Sequence, residues 1–281
     1  MFDILIRPLG QFLYWIYKTI AFENYGLALI IFTIIVRSIM VPLTLRQYKS
    51  SAEMQKVQPL LQEIQRKYAN DKAKLNEEMM KLYQEHKINP AGGCLPLLIQ
   101  MPILLALWQA ITKPLKYMLG FTATQLNNLA VESKIPINSA YSEINTITHF
   151  MSRGEGEKVG NLNMFFPSHG FGINLGDIPT WHFNEIVNNP KNAVLLLLPL
   201  IATLTTYLTV RMSMPKSKTT DKAANPMGNS MMYISPIMTL IFSFQFPAGL
   251  ALYWIAGNVF AIAQQYYVNK YVLNKKEEVS K

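Results

Sequence analysis

Tyr25-Gly-Leu-Ala-Leu-Ile-Ile-Phe-Thr-Ile-Ile-Val-Arg37-Ser-Ile-Met-Val-Pro42-Leu-Thr-Leu45 is an apolar run broken by one charge. An α-helix rises about 1.5 Å per residue, so the run reaches roughly 30 Å, the thickness of a bilayer's hydrocarbon core. Arg37 falls about 18 Å from the Tyr25 end, out of easy reach of either water surface. Placing an arginine at that depth costs about 2.5–3.5 kcal/mol, so water or a partner must satisfy it, and such residues tend to mark a pathway. The plainer alternative is a snorkelling arginine that only sets orientation.

The rest of the chain fits several such spans. Half of the 281 residues are hydrophobic and only 15% are charged. Further apolar segments of near-spanning length lie at 93–111, 192–210, 231–246 and 250–268. With 25–45 they predict an all-α membrane protein of five transmembrane helices. Polar segments occupy 46–92, 112–191 and 211–230, and a basic tail runs from 269 to 281. Residues 46–93, 211–229 and 269–281 hold 17 lysines and arginines, against 8 on the opposite side. The richer side is expected in the cytoplasm, which puts the N-terminus outside. The net charge of +9 then reads as topology and attraction to anionic lipid, with ribosomal RNA a further acidic surface it could meet.

Within 1–24, Phe2, Leu5, Ile6, Leu9, Phe12, Leu13, Ile16, Tyr17 and Ile20 recur at helical spacing. This predicts an amphipathic helix in the outer interface, with Trp15 and the tyrosines at headgroup depth. In 46–92, Met54, Val57, Leu61, Ile64 and Tyr68 follow a 3-4 spacing, as do Leu75, Met79, Leu82 and His86, with Asn70-Asp71 between them. That pattern predicts a short coiled-coil hairpin of two antiparallel helices in the cytoplasm, its first arm bent at Pro59. Segment 112–191 shows no repeat and no ligand pattern, and its structure is left unassigned.

Familiar catalytic chemistry is missing. The four histidines are scattered, and no zinc, nucleophile-elbow or phosphate-loop motif occurs. None of the five spans contains Asp or Glu, the carboxylates a proton relay needs. The lone Cys94 excludes a disulfide framework and is read as a packing residue, although Ala91-Gly-Gly-Cys94 has the look of a lipid-attachment box. Neither cofactor nor metal is expected. The spans do carry neutral hydrogen-bonding groups: Thr33 one turn before Arg37, Gln100 in the second span, Thr205, Thr206 and Thr209 in the third, and Trp254, Asn258 and Gln264 in the fifth. Taken singly, each is interhelical glue. Together with Arg37 they suggest a shared hydrated groove, because a guanidinium brings five N–H donors.

These segments resemble the YidC/Oxa/Alb family of membrane-protein insertases. The resemblance rests on Thr33-Ile-Ile-Val-Arg37 with Pro42-Leu-Thr44, and on Gly92-Gly-Cys94-Leu-Pro96-Leu-Leu-Ile-Gln100-Met-Pro102. Its third element is Phe246-Pro-Ala-Gly249-Leu-Ala-Leu-Tyr253-Trp254-Ile-Ala-Gly-Asn258 with Gln264-Gln265. It implies the bacterial form without a large periplasmic domain, with a five-helix core whose arginine-bearing groove opens to cytoplasm and lipid and is closed outside. The groove would comprise Arg37, Thr33, Gln100, Thr205, Thr209, Trp254 and Asn258. Nascent membrane proteins are the implied clients, the lipid bilayer the surroundings, and the ribosome and the Sec translocon candidate partners. Two departures stand out: no glutamine accompanies Thr209, and the outer segment is longer than the form suggests. A small-molecule transporter and a non-inserting assembly scaffold remain the alternatives, although the paired half-repeats of a transporter are not evident.

Overall fold

A computed structural model describes residues 3–86, 95–136, 141–167, 172–213 and 226–273. The fold is mostly helical. The first helix, α1 (Asp3–Thr19), has an apolar face, but it turns inward: Leu13, Ile16 and Tyr17 are fully buried. Tyr17, one of the tyrosines expected at headgroup depth, is thus packed within protein, while Tyr14 is half-buried. Tyr17 donates its hydroxyl to the Asn161 carbonyl at 3.3 Å and accepts the Asn163 N–H at 3.0 Å, so the ring bridges into the segment left unassigned above. Trp15 does remain half exposed.

A turn with two left-handed residues, Phe22 and Glu23, leads to Asn24, whose side chain caps the next helix by accepting the Leu27 N–H at 2.9 Å. That helix, α2 (Tyr25–Lys67), runs for 43 residues without a break. The expected span limit at Leu45 falls within this helix, as do Pro42 and Pro59. A tight turn through Asp71, which caps by accepting the Lys74 N–H at 3.0 Å, reverses the chain into α3 (Lys72–Glu85). Val57 and Leu82 bury against each other there, with Met54, Leu61 and Ile64 around them. These are positions of the 3-4 pattern, whereas His86 at its end is exposed.

After α4 (Leu95–Thr112), the unassigned segment folds into a cap. It contains α5 (Pro114–Tyr117), α6 (Ala123–Ser133), α7 (Ser142–Ser152), a 3-10 turn (Gly156–Val159), the antiparallel pair β1 (Phe165–Phe166) and β2 (Ile173–Asn174), and α8 (Phe183–Asn188). Ile144, Ile147, Phe150, Leu162 and Leu175 of the cap share one apolar core with Leu13, Tyr25, Phe32 and Ile111 of the helices. Cap and helices are therefore one packed body around a common core.

The remaining helices are α9 (Pro190–Ser213), α10 (Pro226–Ser243) and α11 (Ala248–Tyr267), followed by a π-helical turn (Val268–Leu273). Pro236 does not interrupt α10, which ends at Ser243, three residues before the expected limit. By length and composition, two helices among the described residues can cross a membrane: Tyr25–Tyr48, of mean hydropathy 2.3, and Pro190–Ser213, of mean hydropathy 2.1. Met101–Thr112 and Met232–Ser243 are shorter apolar helical stretches.

Candidate functional site

Helices α2 and α11 lie side by side in a constant register. An added Cβ on Gly249 would meet Leu29 at 3.3 Å, one on Gly257 would meet Arg37, and Gln264 donates to the Thr44 hydroxyl at 2.6 Å. Each pair is separated by 220 positions, which is possible only if the two helices run parallel. At the Leu29 end, α11 begins at Pro247 without a side-chain cap. Its first N–H groups are satisfied by the cap instead: Ala248 donates to the Asp177 carbonyl at 2.9 Å and Gly249 to the Leu175 carbonyl at 2.8 Å. The cap thus closes this end of the helix pair.

Arg37 lies one level further along. Its guanidinium rests on the bare Cα of Gly257: a Cβ there would come within 2.9 Å of Nη2, 3.3 Å of Nε and 3.5 Å of Cζ. The Nε is buried and has no hydrogen-bond partner. Among the described residues no carboxylate lies within ion-pair distance of it. Next to Gly257, Asn258 donates to the Thr206 hydroxyl at 2.8 Å and lies 3.2 Å from that of Thr205, which ties α11 to α9. Three helices therefore converge on one level that carries a cation, an amide and two hydroxyls, with no acid among the described residues.

The expected groove residues divide. Asn258 and Thr205 meet, and Arg37 rests on Gly257, the residue before Asn258. Thr209 lies one turn further along α9, with its hydroxyl donated to the Thr205 carbonyl at 2.8 Å. Thr33 is fully buried and donates to the Leu29 carbonyl at 2.6 Å, so it faces packed protein and not a groove. Trp254 packs half-buried against the apolar core. Gln100 sits on α4, but its side chain lies outside the described residues, as does the Gly92-Gly-Cys94 stretch. Sequence reading did not single out Gly257, although a glycine beside Asn258 in an apolar helix is the signal of a close interhelical approach. A cavity of about 250 Å³ lined by Thr148, Met151, Leu162 and Met164 among others lies in the cap. The site is thus a polar level between helix faces.

The family model described as 60Kd inner membrane protein matches residues 15–276. A protein of Syntrophobacter fumaroxidans named membrane protein insertase YidC is 30% identical over 96% of this chain, which spans 38% of that protein. One of the same name from Fusobacterium nucleatum is 31% identical, with 88% of this chain and 87% of the relative aligned. Among solved structures, a crystal structure of an active YidC insertase with its first transmembrane domain resolved superposes with a TM-score of 0.54 at 28% identity. That match covers 95% of this chain and 46% of the other. With its sequence matched almost end to end, the chain belongs to the 60Kd inner membrane protein family, the family of the YidC insertases.

Proposed function

We propose that this protein is a membrane protein insertase that accepts client transmembrane segments at the Arg37 level and releases them sideways into lipid. The observation that carries the reading is a buried, unpaired guanidinium Nε flanked by neutral hydrogen-bonding groups. A structural ion pair would place a carboxylate there, and leaving a charged donor unmet at that depth is costly unless water or a visiting group meets it. A polar client segment, attracted if acidic, would occupy this level while its adjoining apolar helix partitions into hydrocarbon. Burial of that helix at about 25 cal/mol per Å² supplies the drive, so no nucleotide is required.

In this reading five segments span the membrane: 25–45, 93–111, 192–210, 231–246 and 250–268. The parallel register of α2 and α11 supports it, since first and fifth spans must cross in the same direction. The N-terminus is outside, α1 borders the outer interface, and the far end of α2 with α3 forms a cytoplasmic hairpin. The cap closes the outer face, which leaves cytoplasm and lipid as the open sides. Nascent membrane proteins are the clients, and the ribosome and the Sec translocon are the partners the basic cytoplasmic segments would serve.

The test is reconstitution into liposomes with a ribosome-made single-span client whose outer segment is acidic or neutral. Arg37→Lys keeps the charge and should retain most insertion. Arg37→Gln keeps donors only and should lose insertion mainly of the acidic client. Full insertion of the acidic client by Arg37→Ala would overturn the reading, whereas an Arg37→Ala protein that fails to fold would assign the guanidinium a scaffolding role between α2 and α11.

A further inference from the structure

The last part of the cap, between β2 and α9, has an apolar edge that the core does not absorb. Trp181 is 69% exposed and Val187 61% exposed, with Ile178 also open. The edge continues two exposed stripes on the helices. On α9, Val194, Leu197, Ile201, Leu204 and Leu208 recur at 3-4 spacing and are all exposed. On α10, Ile234, Ile237 and Ile241 do the same, and one further step of three reaches Phe244, just past the helix end. Trp181 packs on that Phe244 ring, with centroids 5.5 Å apart. The other stripe begins seven residues beyond Val187, where α8 abuts α9. On the short α8, Glu185 lies roughly opposite Val187 and is exposed.

We propose that the segment Ile178–Asn188 is a lipid-binding lip. It seats Trp181 and Val187 in the headgroup-acyl boundary of the outer leaflet and holds the α10–α11 turn at that depth through Phe244. Continuity decides the occupant. Both helix stripes face lipid if α9 and α10 span the membrane; Trp181 joins the lip to the α10 stripe through the Phe244 ring, and Val187 leads to the α9 stripe across the polar junction 188–192. An indole ring is amphipathic and belongs at such a boundary, while Glu185 on the far side of α8 faces water. The inference rests on the insertase reading only for its assignment of α9 and α10 as spans.

The experiment includes a control for that assignment. With Cys94→Ser as background, nitroxides are placed singly at Val187→Cys, Glu185→Cys and Leu204→Cys in phosphatidylcholine–phosphatidylglycerol vesicles, and collisions with oxygen and a water-soluble nickel chelate are compared. The oxygen-to-nickel ratio should be several-fold higher at 187 than at 185 and highest at 204. A nickel-favoured 187 beside an oxygen-favoured 204 overturns the lip. Protection of 187 from both quenchers also overturns it, in favour of a second copy or a client segment. A nickel-favoured 204 overturns the span assignment and the lip with it. Should the cysteine variants fold poorly, the unsubstituted chain can be irradiated in vesicles containing diazirine-tailed phosphatidylcholine. Adducts on the 178–187 peptide support the lip, and α9 adducts without them refute it.

Discussion

Glu143 gives the sharpest quantitative handle on the cap. Its carboxylate accepts the backbone N–H of Lys116 at 3.0 Å, at the start of α5, a helix whose own Lys113 cap provides no side-chain acceptor. Only 9% of the residue is exposed, and desolvation pushes the carboxyl up from 4.5 to about 7 despite the Leu115 and Lys116 N–H groups and the Lys113 and Lys116 charges. The folded protein therefore holds a proton that the unfolded chain has released, and stability falls as pH rises between those values. At about 1.4 kcal/mol per tenfold change, the displacement is worth roughly 3 kcal/mol, fully present below about pH 4.5 and lost above about pH 7. Glu143→Gln stays neutral and keeps an acceptor, while its buried amide costs about 1–3 kcal/mol if it finds no partner. The variant should be the less stable protein at pH 5 and should draw level or pass the wild type at pH 8. Thermal melts in detergent at pH 5, 6, 7 and 8 read this as a melting-temperature difference that moves by several degrees towards the variant. A difference that does not change with pH would refute the argument.

Two glycines test close approaches. At Gly257→Ala the new Cβ meets only the flexible end of Arg37, so the melting temperature should hold while the guanidinium is pushed off α11. Insertion of an acidic client should fall several-fold, and unaltered insertion in the liposome assay would detach this contact from function. At Gly10→Ala the Cβ meets the Tyr117 carbonyl oxygen at 2.5 Å and its carbon at 2.9 Å, which is backbone and cannot rotate away. Overpacking of about 1–3 kcal/mol should outweigh the helix-propensity gain of about 1 kcal/mol, lowering the detergent melting temperature.

What the sequence made legible was whatever depends on local period. The 3-4 spacing names Val57 and Leu82, because two helices in contact must repeat their apolar positions at that interval. Composition marks the span limit expected at Leu45 without saying where the helix ends: polar residues after Arg46 record a change of surroundings, and α2 continues through it to Lys67. The cap was illegible for the opposite reason. Its strands are two residues long, too short to show alternation, and its stability lies in distant pairings such as Tyr17 with Asn161 and Glu143 with Lys116. The protein neighbour of α1 was not legible either, since an amphipathic pattern specifies an apolar neighbour without saying whether it is lipid or protein.

The candidate site combines both kinds of information. An arginine in an apolar run is visible in sequence, but where its head rests depends on the register of α2 against α11. A slip of one turn would place Arg37 opposite Tyr253 or Ala261 in place of Gly257, and either Cβ would occupy the space the guanidinium now fills. The register is held at one end by Gly249 against Leu29 and the cap carbonyls, and at the other by Gln264 on Thr44. Two turns, about 10 Å, separate Arg37 from the Thr44 clamp, close enough for that hydrogen bond to fix its level. The asparagine beside Gly257 then carries the same register to Thr205 and Thr206 on α9. Neutral hydrogen bonds thus set the position of the charge, which has no carboxylate partner among the described residues.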